Sequence, residues 1–242
     1  MDYIEYFKGR KLLTDGKSNT KTAKNSMATY YLSLQPTNLN SKGENLCKFS
    51  TKECRTACLQ FAGRQSFDNV VQSRSKKTEF FVNHRKEFIE KLWNELVELN
   101  KKPNKVAVRL NLLSDIDWNV NFKQTGLVTG KLMNIGSLSN IQFYDYTKDH
   151  TKLFLGQPKN YDLTFSFSGH NWNHADMFLK NKTANVAVVF KNTVPLVWRG
   201  YKVVNGDESD ERFLEEKGIV IGLKYKTPKG VKYQKTKFVV DE

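Results

Sequence analysis

Cysteine and proline are scarce in this chain. Only three of its 242 residues are cysteine and five are proline, and proline falls below its average share of about 5%. Glycine-proline repeats and low-complexity tracts are absent, which excludes collagen-like and linker-type chains. No run approaches the roughly 18 consecutive apolar residues of a membrane helix, and the opening MDYIEYFKGRKLL lacks the basic-then-apolar order of a signal peptide. The expectation is a soluble cytoplasmic protein with no membrane partner. No G-x-x-x-x-G-K-[ST], G-x-G-x-x-G or G-x-S-x-G stretch occurs, so P-loop NTPase, classical dinucleotide-binding and serine hydrolase chemistries drop out. An odd number of cysteines would leave one thiol over in any disulfide framework.

The balance that remains is globular, with 39% hydrophobic, 12% aromatic and 26% charged residues. Lys and Arg total 39 against 25 Asp and Glu, a formal charge of +14. Such a chain draws polyanions without reading their sequence. A nucleic acid or nucleotide is therefore one expected partner, although the lysines are dispersed and read equally well as a solvated surface. The whole of 1–242 reads as one domain: a polar arm at 1–27, an α/β body at 28–226 and a hairpin or tail at 227–242.

Hydrophobic periodicity places the elements. ATYYLSLQP is strand-like, and Phe80, Phe81, His84, Phe88, Ile89, Leu92, Trp93, Leu96, Val97 and Leu99 recur largely at helical steps between Phe67 and Asn100. Further β runs cover 106–113, 141–149, 161–169, 185–192 and 218–226, and the last segment reads as a hairpin turning at Pro228 to Gly230. Strands alternating with helices predict an α/β fold of mostly parallel βαβ units, whose site lies at the strand C-terminal ends.

All three cysteines fall in one loop, CKFSTKECRTAC, as Cys47, Cys54 and Cys58 with C-x6-C-x3-C spacing. The bland reading is three small buried hydrophobes; their exclusive clustering favours metal ligation. Zinc wants four ligands, and His84, His150, His170 or His174 would have to supply the fourth. A 4Fe–4S cluster is held by thiolates, and three would leave one iron open. The spacing fits neither a C2H2 finger nor a zinc ribbon.

The order TDGKSNTKTAKN, YYLSLQP, the cysteine loop, a long helix, VRLNLLSDIDW, FYDYTKD, LTFSFSG and VVNGDESDERF resembles the phage gene-88 product family over nearly the whole chain. That layout is in turn remotely similar to the radical S-adenosylmethionine enzymes. The resemblance implies a partial (βα)6-type barrel with a C-terminal hairpin, carrying the cluster cysteines after its first strand. Those enzymes usually show C-x3-C-x2-C and often an aromatic beside the last cysteine; here the intervals differ and Ala57 and Leu59 flank Cys58.

On that analogy Ser114, Asp115 and Asp117 stand where an acidic motif takes the amino group of S-adenosylmethionine, with Asp115 and Asp117 as catalytic candidates; turn or helix capping is the equal alternative. Arg109 lies six residues before Asp115, on the same face if the strand is continuous. Alternation puts Thr164, Ser166 and Ser168 on one face, where hydroxyls could meet a ribose. Lys148 at a strand tip could hold a phosphate or carboxylate, or be a solvated loop lysine. His170 and His174 would share a helix side. Gly206, Asp207, Asp210 and Arg212 form an acidic turn that reads as a ligand clamp or a loop ion pair.

The leading expectation is a phage-type iron–sulfur protein, with S-adenosylmethionine as second cofactor and a nucleic acid or nucleotide substrate. The alternative is a non-catalytic basic protein that binds nucleic acid or a host protein, with a structural zinc or no metal.

Overall fold

The computed structural model describes residues 1–18, 22–227, 233 and 235–241. Among them, β1 (Thr14–Asp15) and β2 (Ala28–Tyr31) pair antiparallel at one end of a sheet. From β2 the sheet runs parallel through β3 (Val106–Arg109), β4 (Ile141–Thr147), β5 (Tyr161–Ser166) and β6 (Asn185–Phe190). β7 (Val197–Trp198) and β8 (Tyr201–Asn205) form a hairpin, and β9 (Val220–Lys224) lies parallel between β8 and β6. The fold is thus mixed α/β with a mostly parallel central sheet, and that sheet is open, with β1 and β7 at its ends.

At the C-terminus the last described strand does not belong to a hairpin ladder. The proposed turn at Pro228 to Gly230 lies outside the described residues, and β10 (Val239–Val240) pairs parallel with β6. It continues the line of β5: β5 takes Asn185 to Ala187 of β6, and β10 takes Val189 and Phe190 beyond it. Nor are residues 1–27 simply an arm. α1 (Tyr3–Phe7) stacks Phe7 on Phe80 at 5.1 Å, and Leu12 and Leu13 are buried, their N–H groups donating to the Glu95 carboxylate.

α2 (Lys52–Thr56) carries the middle cysteine. The periodic stretch 67–100 is divided at His84 (φ −137°, ψ 57°) into α3 (Asp68–Asn83) and α4 (Arg85–Asn100). α5 (Trp118–Thr129) begins on an Asp117 cap and stops at Gly130, whose φ of 69° suits a residue without Cβ. α6 (His150–Phe154) and α7 (Trp172–Lys180) complete the helices. Among the described residues no helix is long and apolar enough to cross a membrane.

Strand alternation sorts the two sheet faces. Val106, Val108, Ile141, Phe143 and Leu163 join Phe88, Leu92, Leu96, Trp118 and Phe122 in one apolar cluster. Phe165, Val186, Val188 and Val220 join Phe178, Leu179 and Trp198 in another. Each fully buried side chain of that size contributes about 1.5–3 kcal/mol. The opposite face is more polar: Arg109, Tyr144, Tyr146, Thr164, Ser166 and Asn185.

Over that polar face runs the segment between β8 and β9. Asp210 accepts from Arg109 at 3.2 Å and from the Tyr144 hydroxyl at 3.1 Å, and Phe213 packs on the Tyr144 ring. The Glu211 carboxylate accepts from the N–H of Ser26 (2.7 Å), the N–H of Met27 (3.0 Å) and the Ser26 hydroxyl (2.8 Å). A loop near one end of the sheet is thereby bonded to the segment entering β2 near the other.

Replacing Glu211→Ala removes the carboxylate that accepts all three bonds and is expected to cost about 2 kcal/mol, read as a lower urea midpoint at unchanged m-value. Wild-type stability would refute this bracing.

Candidate active site at the strand C-terminal ends

A cavity of about 200 Å³ opens at the C-terminal ends of the parallel strands. The segment from Cys47 to Gln60 forms one wall. Arg109, Ser114 and Asp115 come from the end of β3 and its loop, Tyr146 and Lys148 from the end of β4, and Ser166 from β5; Lys224, Lys226 and Phe238 close the far side. In open parallel sheets this is where the backbone diverges and ligands bind.

The cysteine wall is ordered by its backbone. The Asn45 side chain accepts from the Cys47 N–H at 2.9 Å, and Arg55 donates to the Ser50 carbonyl at 2.8 Å. Thr51 caps α2 by accepting from the Cys54 N–H at 3.1 Å. Cys47 and Cys54 are buried, Cys58 partly so, and all three line the cavity as free thiols. Burial pushes the Cys47 thiol up to about 11 against the pull of Lys148, and raises Cys58 as well. Without a ligand these groups keep their protons.

Asp115 does not present a free carboxylate to the cavity. Oδ1 accepts from the Thr147 hydroxyl at 2.7 Å and from the Lys152 ammonium at 2.6 Å, and Oδ2 accepts from the Lys148 N–H at 2.8 Å. Both side chains of the Asp115–Lys152 pair are 5% exposed. The amino group expected at Asp115 is therefore already supplied by the chain itself. The Asp115 N–H also donates to the Leu46 carbonyl, next to Cys47. Asp117 stands at the start of α5 and accepts from the Val120 N–H at 3.0 Å.

Arg109 and Asp115 share the cavity although β3 ends at Arg109, so strand alternation is not what unites them. The Arg109 guanidinium bonds Asp210, lies 4.0 Å from Asp145 and stacks 4.7 Å over the Tyr146 ring. Ser114 lines the cavity and donates to Asn111; Ser166 lines it too. Ser168 lies past the end of β5, its N–H donating to the Asn171 side chain and its carbonyl facing the Thr51 hydroxyl. Lys148 is no solvated loop lysine. It is interior, beside Cys54, Cys47 and Asp115, with its ammonium 5.7 Å from the Phe238 ring.

Of the acidic turn, Asp207 and Asp210 line the cavity and Asp210 reaches Arg109, while Arg212 is 1% exposed and stands 3.7 Å from Glu215. His170 precedes α7 and stands 3.5 Å from Glu53, so it does not share a helix side with His174. His174 stacks on His150 at 4.0 Å, and His84 lies between α3 and α4. None of these imidazoles lines the cavity.

The donor set fits a thiophilic metal in chemistry: three thiols on one wall, with the half-buried Lys148 ammonium beside them to offset the charge they would gain on losing protons. As placed, the side chains are not drawn together. Among the described residues no three His, Cys, Asp or Glu groups stand within reach of one ion. Ligation would need the Cys47–Cys58 wall to tighten around it.

Sequence reasoning missed Phe238, Lys224, Lys226 and Tyr146. Only Tyr146 carried a signal, its even spacing from Tyr144 on a predicted strand; the others reach the site by chain return.

Two outcomes follow from this network. Lys152→Met leaves Asp115 buried and unpaired and is expected to cost about 3–5 kcal/mol, largely recovered in Asp115→Asn/Lys152→Met; equal losses in single and double variants would refute the coupling. Asp145, on the opposite sheet face, has its carboxyl pushed by burial up to about 6 despite hydrogen bonds from Tyr161 and Asn111 and the nearby Arg109. The folded state then holds this proton more tightly than the unfolded chain. Stability from this group is present at low pH and fades as pH rises through about 6, so wild type gains about 1 kcal/mol relative to Asp145→Asn between pH 7 and 5. Parallel denaturation curves for the two proteins at both pH values would count against it.

The family model described as gene product 88 matches residues 8–242. No curated protein and no solved structure matches the chain.

Proposed function

The chain belongs to the bacteriophage gene product 88 family, and from that footing we propose that it is an iron–sulfur protein resembling the radical S-adenosylmethionine enzymes, acting on a nucleic acid or nucleotide. One observation carries this reading: its only three cysteines share a wall of the cavity at the strand ends, beside a half-buried lysine, Lys148. Strand order β2 to β6 follows the chain, and the Asp210–Glu211 segment bonds toward both ends of the sheet. Both features support a curved, partial (βα)6-type barrel.

Cys47, Cys54 and Cys58 would hold the cluster. Bound, a 4Fe–4S cluster with three thiolate ligands supplies one electron and leaves one iron open to a second cofactor such as S-adenosylmethionine. Lys148 balances thiolate charge. Asp115 positions Lys148 by fixing its backbone. Arg109 with Asp210, and Ser114 with Ser166, offer polar groups to whatever occupies the cavity.

A structural zinc on a non-catalytic basic protein is the competing reading. It needs a fourth ligand, and none of the four imidazoles lines the cavity, so the three-thiol site is the better match to a cluster with an open corner.

Anaerobic purification or reconstitution is expected to give about four iron and four sulfide per chain with a broad visible absorption that Cys54→Ala abolishes. One zinc without colour would favour the binding-protein reading. A metal-free chain under the same conditions would remove ligation altogether.

A further inference from the structure

The cysteine wall faces outward with side chains that its own packing does not use. Phe49, between cavity-lining Cys47 and Ser50, is 42% exposed; Phe61 is 45% and Phe67 55% exposed. Interleaved with these rings are the exposed Lys48, Lys52 and Arg55. From Cys47 to Phe67, Lys48, Lys52, Arg55 and Arg64 face one acid, Glu53, and that acid already accepts from the Lys237 N–H at 2.9 Å. Across the mouth stand the exposed Lys224 and Lys226. Phe49 also begins a run of rings: His150 lies at 5.9 Å, His174 stacks on His150, and Phe154, 57% exposed, edges onto both.

Three exposed phenylalanines within one short stretch are unusual unless something covers them. Their alternation with cations matches a polyanion that has planar faces to offer. Single-stranded polynucleotides do: bases stack on rings while phosphates meet Lys and Arg. A duplex hides its base faces, and α2, five residues long, is too short to act as a recognition helix in a groove. An acidic protein would use the cations and leave the rings unexplained.

We propose that the rim formed by Cys47 to Phe67 is a docking surface for single-stranded polynucleotide, with Phe49, Phe61 and Phe67 as stacking platforms and Lys48, Lys52 and Arg55 as phosphate contacts. The docking stands on these rim residues alone. That the strand then delivers a nucleotide to the cavity rests on the function proposed above.

The test is fluorescence anisotropy with a labelled oligothymidylate of about 20 nucleotides, a length that spans one or two binding grooves, and with a matching duplex. Titrations run between about 50 and 200 mM salt. Phe49→Ala, Phe61→Ala and Phe67→Ala are each expected to weaken binding about fivefold or more without changing its salt dependence. Lys48→Ala/Lys52→Ala/Arg55→Ala should lower the slope of log affinity against log salt by about 2. Lys101→Ala, on the far end of α4, should change neither, and circular dichroism checks that every variant folds.

No binding by the wild-type chain, ring variants that bind as wild type does, or equally tight capture of the duplex would each overturn the proposal. Metal content is measured on the same samples, together with Cys54→Ala. Binding by an iron-free chain refutes ligation alone, and iron without binding refutes the rim alone.

Discussion

One buried carboxylate holds the site together. Asp115 takes two donors from the end of β4, the Thr147 hydroxyl and the Lys148 N–H, and the ammonium of Lys152 from α6, while its own N–H reaches back to Leu46 beside the first cysteine. Four pieces of chain converge on this residue. An ionised carboxylate in such a place is costly unless every lone pair is met, and here the donors come from segments that must then stay put. The fixed position of Lys148 at the cysteine wall is a consequence of that bonding.

A second buried charge system centres on Arg109. Arg109 is held between Asp210 and Asp145, with Tyr144 donating to the same Asp210 oxygen. Removing Arg109 would leave Asp210 without this cation in a low-dielectric interior. The loop between β8 and β9 is thereby locked across the polar face, even though few of its own residues are apolar. Sheet order alone does not specify where that loop lies; the Glu211 bonds to Ser26 and Met27 and the Asp210 bond to Arg109 do.

The parallel body was legible because buried strands write themselves as continuous apolar runs: NVAVVF and VIGLK can serve only elements covered on both faces. The three-cysteine loop was legible by exclusivity. What stayed hidden depended on distance in sequence. The break at His84 has no glycine or proline to announce it, and the apolar spacing passes through it unchanged. Asp115 looked like a ligand-binding carboxylate because nothing nearby reveals that Lys152 will meet it. Nothing in the local sequence announces that the flank of β6 beyond β5 takes Val239 and Val240 as a parallel partner. Local propensity describes which conformations a segment tolerates, and tertiary contact selects among them.

The cysteine wall shows the same division of labour at smaller scale. Asn45, Thr51 and Arg55 spend their hydrogen bonds on the backbone of the Cys47–Cys58 segment, and Glu53 ties α2 to the C-terminal tail through the Lys237 N–H. Phe238 from that tail packs against Cys54. Three cysteines serving only as small apolar filler would sit in a core shaped by their own packing and need no such scaffolding. Here the backbone is pinned by other residues while the sulfurs line open volume, and burial favours the protonated form of Cys47 and Cys58. A ligand that took those two as thiolates would have to displace their protons.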